Sequence, residues 1–403
     1  DEVKATKENL GWPLEPAFLV PDEVRQFWAG RIEEVKKGYE EWQSKFARWQ
    51  KQNPDRSRLW SQLANCETPG DLPEQLAASV ANATAPEATR KHGQSVLQKA
   101  AQIMPGLAGG SADLDPSTFT YVKDGGDVAP GSYGGRNIHF GVREHGMGAI
   151  VNGFAYDGFF VPYSATFLLF SDYMRPPMRL AALSQLHSIF VFTHDSIFLG
   201  EDGPTHQPVE QLAAIRAIPH MHVWRPADGL ETAASWAAAI ERKDGPSTLV
   251  FTRQKLQPLQ RAKPVDVRAA MRGAYALNDV PQPDVVVIAT GSEVSTVQAA
   301  LQYFDKGLKV RLVSMPCVER FLQWTGDEQR ALVPHGRAKL VAVEAALGLD
   351  WYRIIGDGLV VGIDRFGASA PEKALADAYD LTPQKIAGRI SKWLVEGARA
   401  NTR

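Results

Sequence analysis

The sequence predicts an α/β protein with two doubly wound parallel-sheet domains preceded by a helical connector. Short β-branched runs alternate with amphipathic helical runs over residues 86–262, and the same alternation returns over residues 270–403. Residues 1–85 show helical periodicity alone. Because parallel strands need long crossover connections, which are usually helices, this alternation is typical of parallel sheets with helices on both faces.

The segment 1–85 begins the chain with polar, helical sequence. Pro21 followed by Asp22 and Glu23 is a good helix start, since acidic side chains complement the positive end of the helix dipole. The apolar residues that follow at helical spacing are Val24, Trp28, Ile32, Val35, Tyr39, Trp42 and Phe46. We expect a connector whose helices pack on a neighbouring body, and not a domain with its own core.

The first α/β domain, residues 86–262, is predicted from its apolar runs. Strands are expected within residues 188–196, 220–228 and 247–254, and helices at residues 209–218 and 230–242. Polar residues follow these strands at their carboxyl ends, where parallel sheets gather their chemistry. These residues are His194, Asp195, Arg225 and Arg253.

The second α/β domain, residues 270–403, follows a linker that the two prolines of residues 258–266 indicate. Its predicted strands lie within residues 283–294, 309–316, 338–345 and 358–366, and its predicted helices are residues 295–304 and 382–397. Glu293 and Glu344 stand at strand ends, and we interpret them as structural acids.

The amino-acid composition argues against several kinds of binding partner and cellular setting. The formal net charge of -2 offers no basic excess for a nucleic acid or an anionic membrane surface. Two cysteines, Cys66 and Cys317, are too few for a disulfide framework and fit a cytoplasmic protein. No apolar run approaches the roughly 18–20 residues that span a bilayer, and residues 1–12 lack the apolar core of a signal peptide.

The densest cluster of ionisable residues lies in residues 193–211, directly after a predicted strand. Loops on a rigid scaffold commonly carry function, so we interpret this loop as a site, although Asp and Gly could simply shape a turn. The cluster contains His194, Asp195, Glu201, Asp202 and His206. Its spacing matches no usual zinc pattern, and His220 and His222 are better explained as alternating residues of a strand.

Three further segments carry candidate residues. Glu144 stands at the start of a glycine-rich helix within residues 137–158, where a partner for the helix dipole is a sufficient explanation. Phe167, Phe170 and Tyr173 are three residues apart, a spacing that by itself favours core packing. Residues 109–117 are predicted to form a glycine-rich turn, which contains Asp113, Leu114 and Ser117.

Taken together, these segments resemble the transketolase family in order and spacing, and residues 200–208, GEDGPTHQP, carry the most specific likeness. The resemblance implies a thiamine-diphosphate-binding fold with Glu144 bonded to the aminopyrimidine ring, where it favours the tautomer that activates the cofactor. It implies an aromatic pocket around that ring, made by Phe167, Phe170 and Tyr173. Asp113 and Leu114 are implied to lie near the cofactor.

The resemblance also implies the substrates. A two-carbon ketol unit would pass from a ketose phosphate to an aldose phosphate, as in the pentose phosphate pathway. Asp202 would bind a sugar hydroxyl, and His206 would sit beside the reacting carbon and transfer protons. The residues implied to bind the phosphate are Arg90, Ser117, His194 and Arg253. Without the resemblance, Arg90 would be a solvated charge and Arg253 a structural salt-bridge residue.

The resemblance leaves one motif unaccounted for. Family members bind the diphosphate and a Mg²⁺ or Ca²⁺ ion through a Gly-Asp-Gly motif with a downstream Asn, but no Asn lies between residues 359 and 400. We therefore interpret Gly356-Asp357-Gly358 as a turn and expect no metal ligands in this chain. We expect the diphosphate-binding domain to precede residue 1, with residues 1–85 as its tail and the connector after it, so that activity needs that missing domain, in a homodimer.

Other functions also fit these sequence features. A dihydroxyacetone synthase, a deoxyxylulose-phosphate synthase or a 2-oxoacid dehydrogenase β subunit would have the same architecture. The phosphate-binding set favours phosphorylated sugars over 2-oxoacids. A non-catalytic partner subunit is the alternative of a different class, and the complete set of Glu144, His194, Asp202 and His206 argues against it.

Overall fold

The computed structural model describes residues 1–82, 85–278 and 280–396, and the backbone of residues 397–400. The chain forms two compact units, residues 1–62 and residues 63–403. Helices begin the first unit, and their bounds are α1 Glu2–Asn9, α2 Asp22–Gln52 and α3 Pro54–Ala64. No residue of α2 is buried; within the unit, the ring of Phe46 stacks on Trp42 with centroids 5.1 Å apart and meets Trp60 at 5.6 Å.

The first sheet of the second unit has five parallel strands in the order β1-β2-β3-β5-β4. The strands are β1 Leu107–Ser111, β2 Val161–Phe167, β3 Ile189–Thr193, β4 His222–Trp224 and β5 Ser247–Phe251. The helices around them are α4 Leu72–Ala78, α5 Thr89–Ile103, α6 Asp115–Thr118, α7 Glu144–Asp157, α8 Ser171–Leu183, α9 Gln211–Arg216 and α10 Gly229–Glu241. All five strands are buried along their length, as a sheet covered on both faces requires.

The second sheet has the order β10-β9-β7-β8-β6. Its strands are β6 Tyr275–Ala276, β7 Val285–Ala289, β8 Val310–Ser314, β9 Lys339–Val343 and β10 Leu359–Val361. Its helices are α11 Val267–Met271, α12 Ser292–Ala300, α13 Val318–Phe321, α14 Gly326–Leu332, α15 Tyr352–Ile355, α16 Glu372–Ala378 and α17 Pro383–Ala400. The α/β class and its parallel sheets are confirmed, but the short edge strand β6 is antiparallel to β8.

Three strands, β1, β2 and β6, were absent from the sequence-based prediction. Residues 109–111 belong to β1 and not to a turn, although two glycines weaken strand propensity. The tertiary structure needs both glycines, since a Cβ at Gly109 or Gly110 would overlap the carbonyl oxygen of Tyr163 or Ile138. Phe167 ends β2, so the residues that suggested one helical stripe span a strand, a short 3₁₀ helix and α8. The turn expected at residues 356–358 is confirmed, with Gly356 at φ +60°.

Candidate active site

Strand register brings four loops to one edge of the first sheet. Phe167 pairs with Thr193, and Thr193 pairs with Phe251, so the last residues of β2, β3 and β5 stand side by side. Ser111, the last residue of β1, pairs with Ala165 of β2. The residues that follow these strands therefore meet at the carboxyl edge, where parallel sheets commonly hold ligands.

Three aromatic side chains form what we call the aromatic platform: Phe167, Phe170 and Tyr173. The 3₁₀ helix Leu168–Phe170 and the first turn of α8 keep residues three apart on one side. The rings of Phe167 and Phe170 stack with centroids 5.7 Å apart and planes 12° apart, and Phe170 lies 6.2 Å from Tyr173. Tyr173 is 65% exposed, so the platform is open to a flat ligand.

The loop of residues 194–207 meets this platform with two histidines. The ring centroid of His194 lies 3.7 Å from that of Phe167, and His206 lies 5.5 Å from Phe170. Thr205 Oγ1 lies 3.0 Å from His206 Nδ1, which leaves Nε2 for another partner. Asp202 is exposed in the same loop, next to Gly203 at φ +81°.

Glu144 begins α7, and only 8% of its surface is exposed. Among the described residues, no hydrogen-bond or ion-pair partner contacts its carboxyl group. Helices α7 and α8 pack closely, because a Cβ at Gly148 would come within 2.8 Å of Met174 Cγ. Farther along α7, Asn152 Nδ2 donates to the carbonyl of Pro177 at 2.8 Å. The two helices thus run the same way, and Glu144 lies toward the end of α8 that carries the platform.

A cation cluster, which we define as Arg90, His194 and Arg253, occupies the other side of the edge. Arg90 is the second residue of α5, and the first residue is bonded to the residue after β5: the Thr89 amide donates to Thr252 Oγ1 at 3.0 Å. Arg90 Nη1 donates to the Ser117 carbonyl at 2.8 Å, and its Nε is buried without a partner among the described residues. Arg253 is exposed and forms no salt bridge among these residues, although its charge acts on the carboxyl group of Glu372.

The electrostatics of the cation cluster favour an anion. Burial, followed by the charges of Arg90 and Arg253, lowers the pKa of His194 to about 3. Burial and the charge of Arg253 also lower the pKa of Arg90. His194 Nδ1 lies 2.8 Å from Thr193 Oγ1, and its backbone has φ +63°. A bound phosphate would stabilise the two arginine cations and accept a hydrogen bond from the neutral ring of His194, so the cluster is suited to the end of a phosphorylated substrate.

Asp113 and Leu114 extend the edge beyond β1. Asp113 has the left-handed φ of +64°, and the Leu114 amide donates to Ser111 Oγ at 2.9 Å. Two residues on, Asp115 lies 3.8 Å from His139, whose Nε2 is 3.0 Å from Asp127. The sequence does not predict this group of Asp115, Asp127 and His139, because only the tertiary structure brings His139 back to the loop after β1.

Other predicted polar residues lie elsewhere. Asp195 turns away from its neighbour His194, and its Oδ2 accepts from Arg225 Nη2 at 2.7 Å with both side chains fully buried. The structural role expected for Glu293 and Glu344 is confirmed, since both pair with buried arginines. Over the described residues, no group of three or more His, Cys, Asp or Glu side chains is arranged to hold a metal ion.

Comparison with known proteins indicates one family. Three family models match: transketolase, thiamine diphosphate binding domain over residues 1–69; transketolase, pyrimidine binding domain over residues 85–258; and transketolase-like C-terminal domain over residues 273–382. The transketolase of Aquifex aeolicus is 44% identical over 97% of this chain and 57% of its own length. The transketolase of Dictyostelium discoideum is 43% identical over 97% of this chain and 58% of its own length.

Solved structures give the same result. The transketolase of Pichia stipitis in complex with sedoheptulose-7-phosphate superposes with a TM-score of 0.89 at 36% identity, covering 97% of this chain and 58% of that one. The chain thus spans somewhat more than half the length of the relatives it matches and carries domains of the transketolase family. The expectation that it lacks the diphosphate-binding domain is not supported, because residues 1–69 match the model of that domain.

Proposed function

We propose that the protein is a transketolase, which uses thiamine diphosphate to transfer a two-carbon ketol unit from a ketose phosphate to an aldose phosphate. The observation that carries the proposal is Glu144, a largely buried residue whose carboxyl group has no partner among the described residues, on the helix that packs beside α8 and its aromatic platform. The cation cluster at the same edge supports phosphorylated substrates.

The residues present fit the pyrimidine half of thiamine diphosphate. The aromatic platform offers flat, partly exposed surface to a heteroaromatic ring. Glu144, which has no other partner among the described residues, would form a hydrogen bond with a ring nitrogen. Asp113 and Leu114 would contact the cofactor from the loop after β1. When bound, the cofactor supplies the electron sink for carbon–carbon cleavage.

The remaining residues would bind the sugar. Arg90, His194 and Arg253 would bind the phosphate, with Ser117 beside them; the Ser117 carbonyl already orients Arg90. Asp202 would accept a hydrogen bond from a sugar hydroxyl. His206, whose Nδ1 lies beside Thr205, would present Nε2 to the reacting carbon and move a proton there.

Assembly and setting belong to the same proposal. We propose a homodimer in the cytoplasm that acts in the pentose phosphate pathway with a magnesium or calcium ion. Support for a second subunit is the apolar surface that α7 and α8 expose, which includes Ile150, Tyr156, Leu180 and Leu183. The described residues offer no metal cluster, so no step is assigned to the ion. None of the described helices combines the length and apolarity needed to cross a bilayer.

Glu144→Gln in the holoenzyme tests the proposal. We expect turnover to fall by at least about 100-fold, as when a positioned acid–base group is lost, with an unchanged circular dichroism spectrum. The matched control is Glu210→Gln, an exposed glutamate directly before α9. Near-normal turnover in Glu144→Gln would contradict the assignment. A panel of donors and acceptors separates transketolase from dihydroxyacetone synthase.

A further inference from the structure

The crevice of the second sheet where a ligand would normally bind is filled by an arginine of the first domain. From β7 the chain passes to β8 on one side and then to β9 on the other, so the strand order reverses between β7 and β9. In open α/β sheets, ligands bind outside the carboxyl ends at such a switch point. Here Arg225 Nη1 donates to the Thr290 carbonyl at 2.9 Å and pairs with Glu293, while Nη2 donates to Ser292 Oγ at 3.1 Å.

The same guanidinium holds the residue beside His194. Arg225 donates to Asp195 Oδ2 from Nε at 3.0 Å and from Nη2 at 2.7 Å. Gly291 makes room for it, since a Cβ there would come within 2.7 Å of the guanidinium carbon. The start of the loop that carries His194 and His206 is therefore bonded through Arg225 to the C-terminal domain.

Gln207 makes the corresponding connection at the end of the loop. It follows His206, is 2% exposed, and its Nε2 contacts the carbonyls of Gly200 at 2.8 Å and Ala368 at 2.9 Å. A Cβ at Gly367 would overlap Gln207 Oε1, so the glycine permits the contact. Ser369 Oγ also donates to the Glu201 carbonyl. Residues 367–370 thus lie directly against the loop that presents Asp202 and His206.

We propose that the C-terminal domain is a positioning element for the substrate loop: Gln207, held by residues 367–369, aligns His206 and Asp202, and Arg225 aligns His194 through Asp195. The inference rests on the proposed function of those side chains. Gln207 touches no expected substrate atom, so it is a positioning residue and acts through its neighbours. Displacement of a reacting group by about 1 Å can reduce the rate about 100-fold, which makes such support measurable.

Gln207→Met in the holoenzyme tests the inference, because Met keeps the volume and removes the donor. We expect kcat/KM for the sugar phosphate to fall by about tenfold or more, while the affinity for thiamine diphosphate and the far-ultraviolet spectrum stay unchanged. The matched control is Gln298→Met, whose side chain also joins the C-terminal domain to backbone, at Gln260 of the linker. We expect this control to keep the normal kcat/KM.

The double variant Gln207→Met/His206→Ala separates positioning from general stability. If Gln207 acts through its neighbours, its substitution adds much less than the tenfold effect when His206 is already removed. Full additivity, or equal effects of Gln207→Met and Gln298→Met, would overturn the inference. Gly367→Ala is expected to reproduce the loss by displacing Gln207, whereas Gly388→Ala on α17 meets nothing within 4 Å and should not.

Hydrogen exchange provides a measurement that does not use activity. We expect the amides of residues 200–207 to exchange faster in Gln207→Met than in Gln298→Met. If the protein is not a transketolase, the sugar assay fails for every variant, but this exchange difference persists. If the exchange is unchanged, the positioning inference is wrong even where the proposed activity is found.

Discussion

Arg225→Met tests how strongly the buried guanidinium stabilises the second unit. The side chains of Arg225 and Asp195 are fully buried and that of Glu293 is 1% exposed, so the substitution leaves two interior carboxyl groups without their cation. Removal of one partner from a buried pair costs about 3–5 kcal/mol, and we expect about 4 kcal/mol less free energy of unfolding. With an unfolding entropy of about 2 cal/mol/K per residue, Tm would fall by about 6 °C.

The pH dependence of this loss has a definite sign. In the intact protein, burial already raises the pKa of Glu293, although Arg225 acts in the opposite direction. Without Arg225 that pKa rises further above its unfolded value. When the pKa of a carboxyl group is higher in the folded state than in the unfolded state, the protein is most stable at pH values below the unfolded-state pKa. That stability is lost as the pH rises through the folded-state pKa. The variant should therefore be more impaired at pH 8 than at pH 5.

Urea denaturation and thermal scans at the two pH values measure the effect. Arg268→Met is the control, since Arg268 and Glu74 form an ion pair in which each side chain is 50% exposed. Exposed pairs contribute little, so this variant should unfold almost as the intact protein does. A loss in Arg225→Met no larger than in the control, or one that grows toward pH 5, would refute the reasoning.

Three further predictions follow from the same contacts. Arg90→Ala should raise KM for a ketose phosphate about tenfold or more and leave KM for an unphosphorylated ketose unchanged; steady-state kinetics with both donors decides, and equal effects would contradict it. Because the pKa of His194 is lowered to about 3, stability should fall as pH drops below the unfolded pKa of about 6.5. His194→Phe should reduce the dependence of the free energy of unfolding on pH, measured by denaturant titrations at several pH values. An unchanged dependence would contradict the lowered pKa of His194. Gly110→Ala should lower the free energy of unfolding by about 3 kcal/mol, because the added Cβ overlaps the Ile138 carbonyl. Gly388→Ala is the control, and equal free energies of unfolding for the two variants would contradict the overlap.

Residue spacing and the family resemblance led to different predictions for the residues of the candidate site. The spacing of Phe167, Phe170 and Tyr173 favoured a core stripe, and Glu144 alone favoured a dipole partner. The resemblance to transketolases supplied their expected roles, and the structure shows an open, stacked platform with a carboxyl group that lacks a partner among the described residues. Local spacing could not distinguish these alternatives, because exposure depends on which elements pack around the segment.

What the sequence determined by itself was the alternation of elements. Strands such as β3, β5 and β7 are continuous apolar runs, and polar residues at their ends mark the carboxyl edge, since burial and backbone pairing act over a few neighbouring residues. Strand β1 does not show this apolar pattern, because its two glycines allow close packing but do not favour a strand.

Only the tertiary structure decided which polar residues face the site. His194 and Asp195 are adjacent in sequence, but His194 contacts the aromatic platform while Asp195 is bonded to Arg225. Arg225 follows a strand as Arg253 does, and yet it lies buried in the crevice of the other sheet. The cause is physical: a buried charge is stable only beside its counter-charges, and the distant segments that supply them meet only when the two sheets pack together.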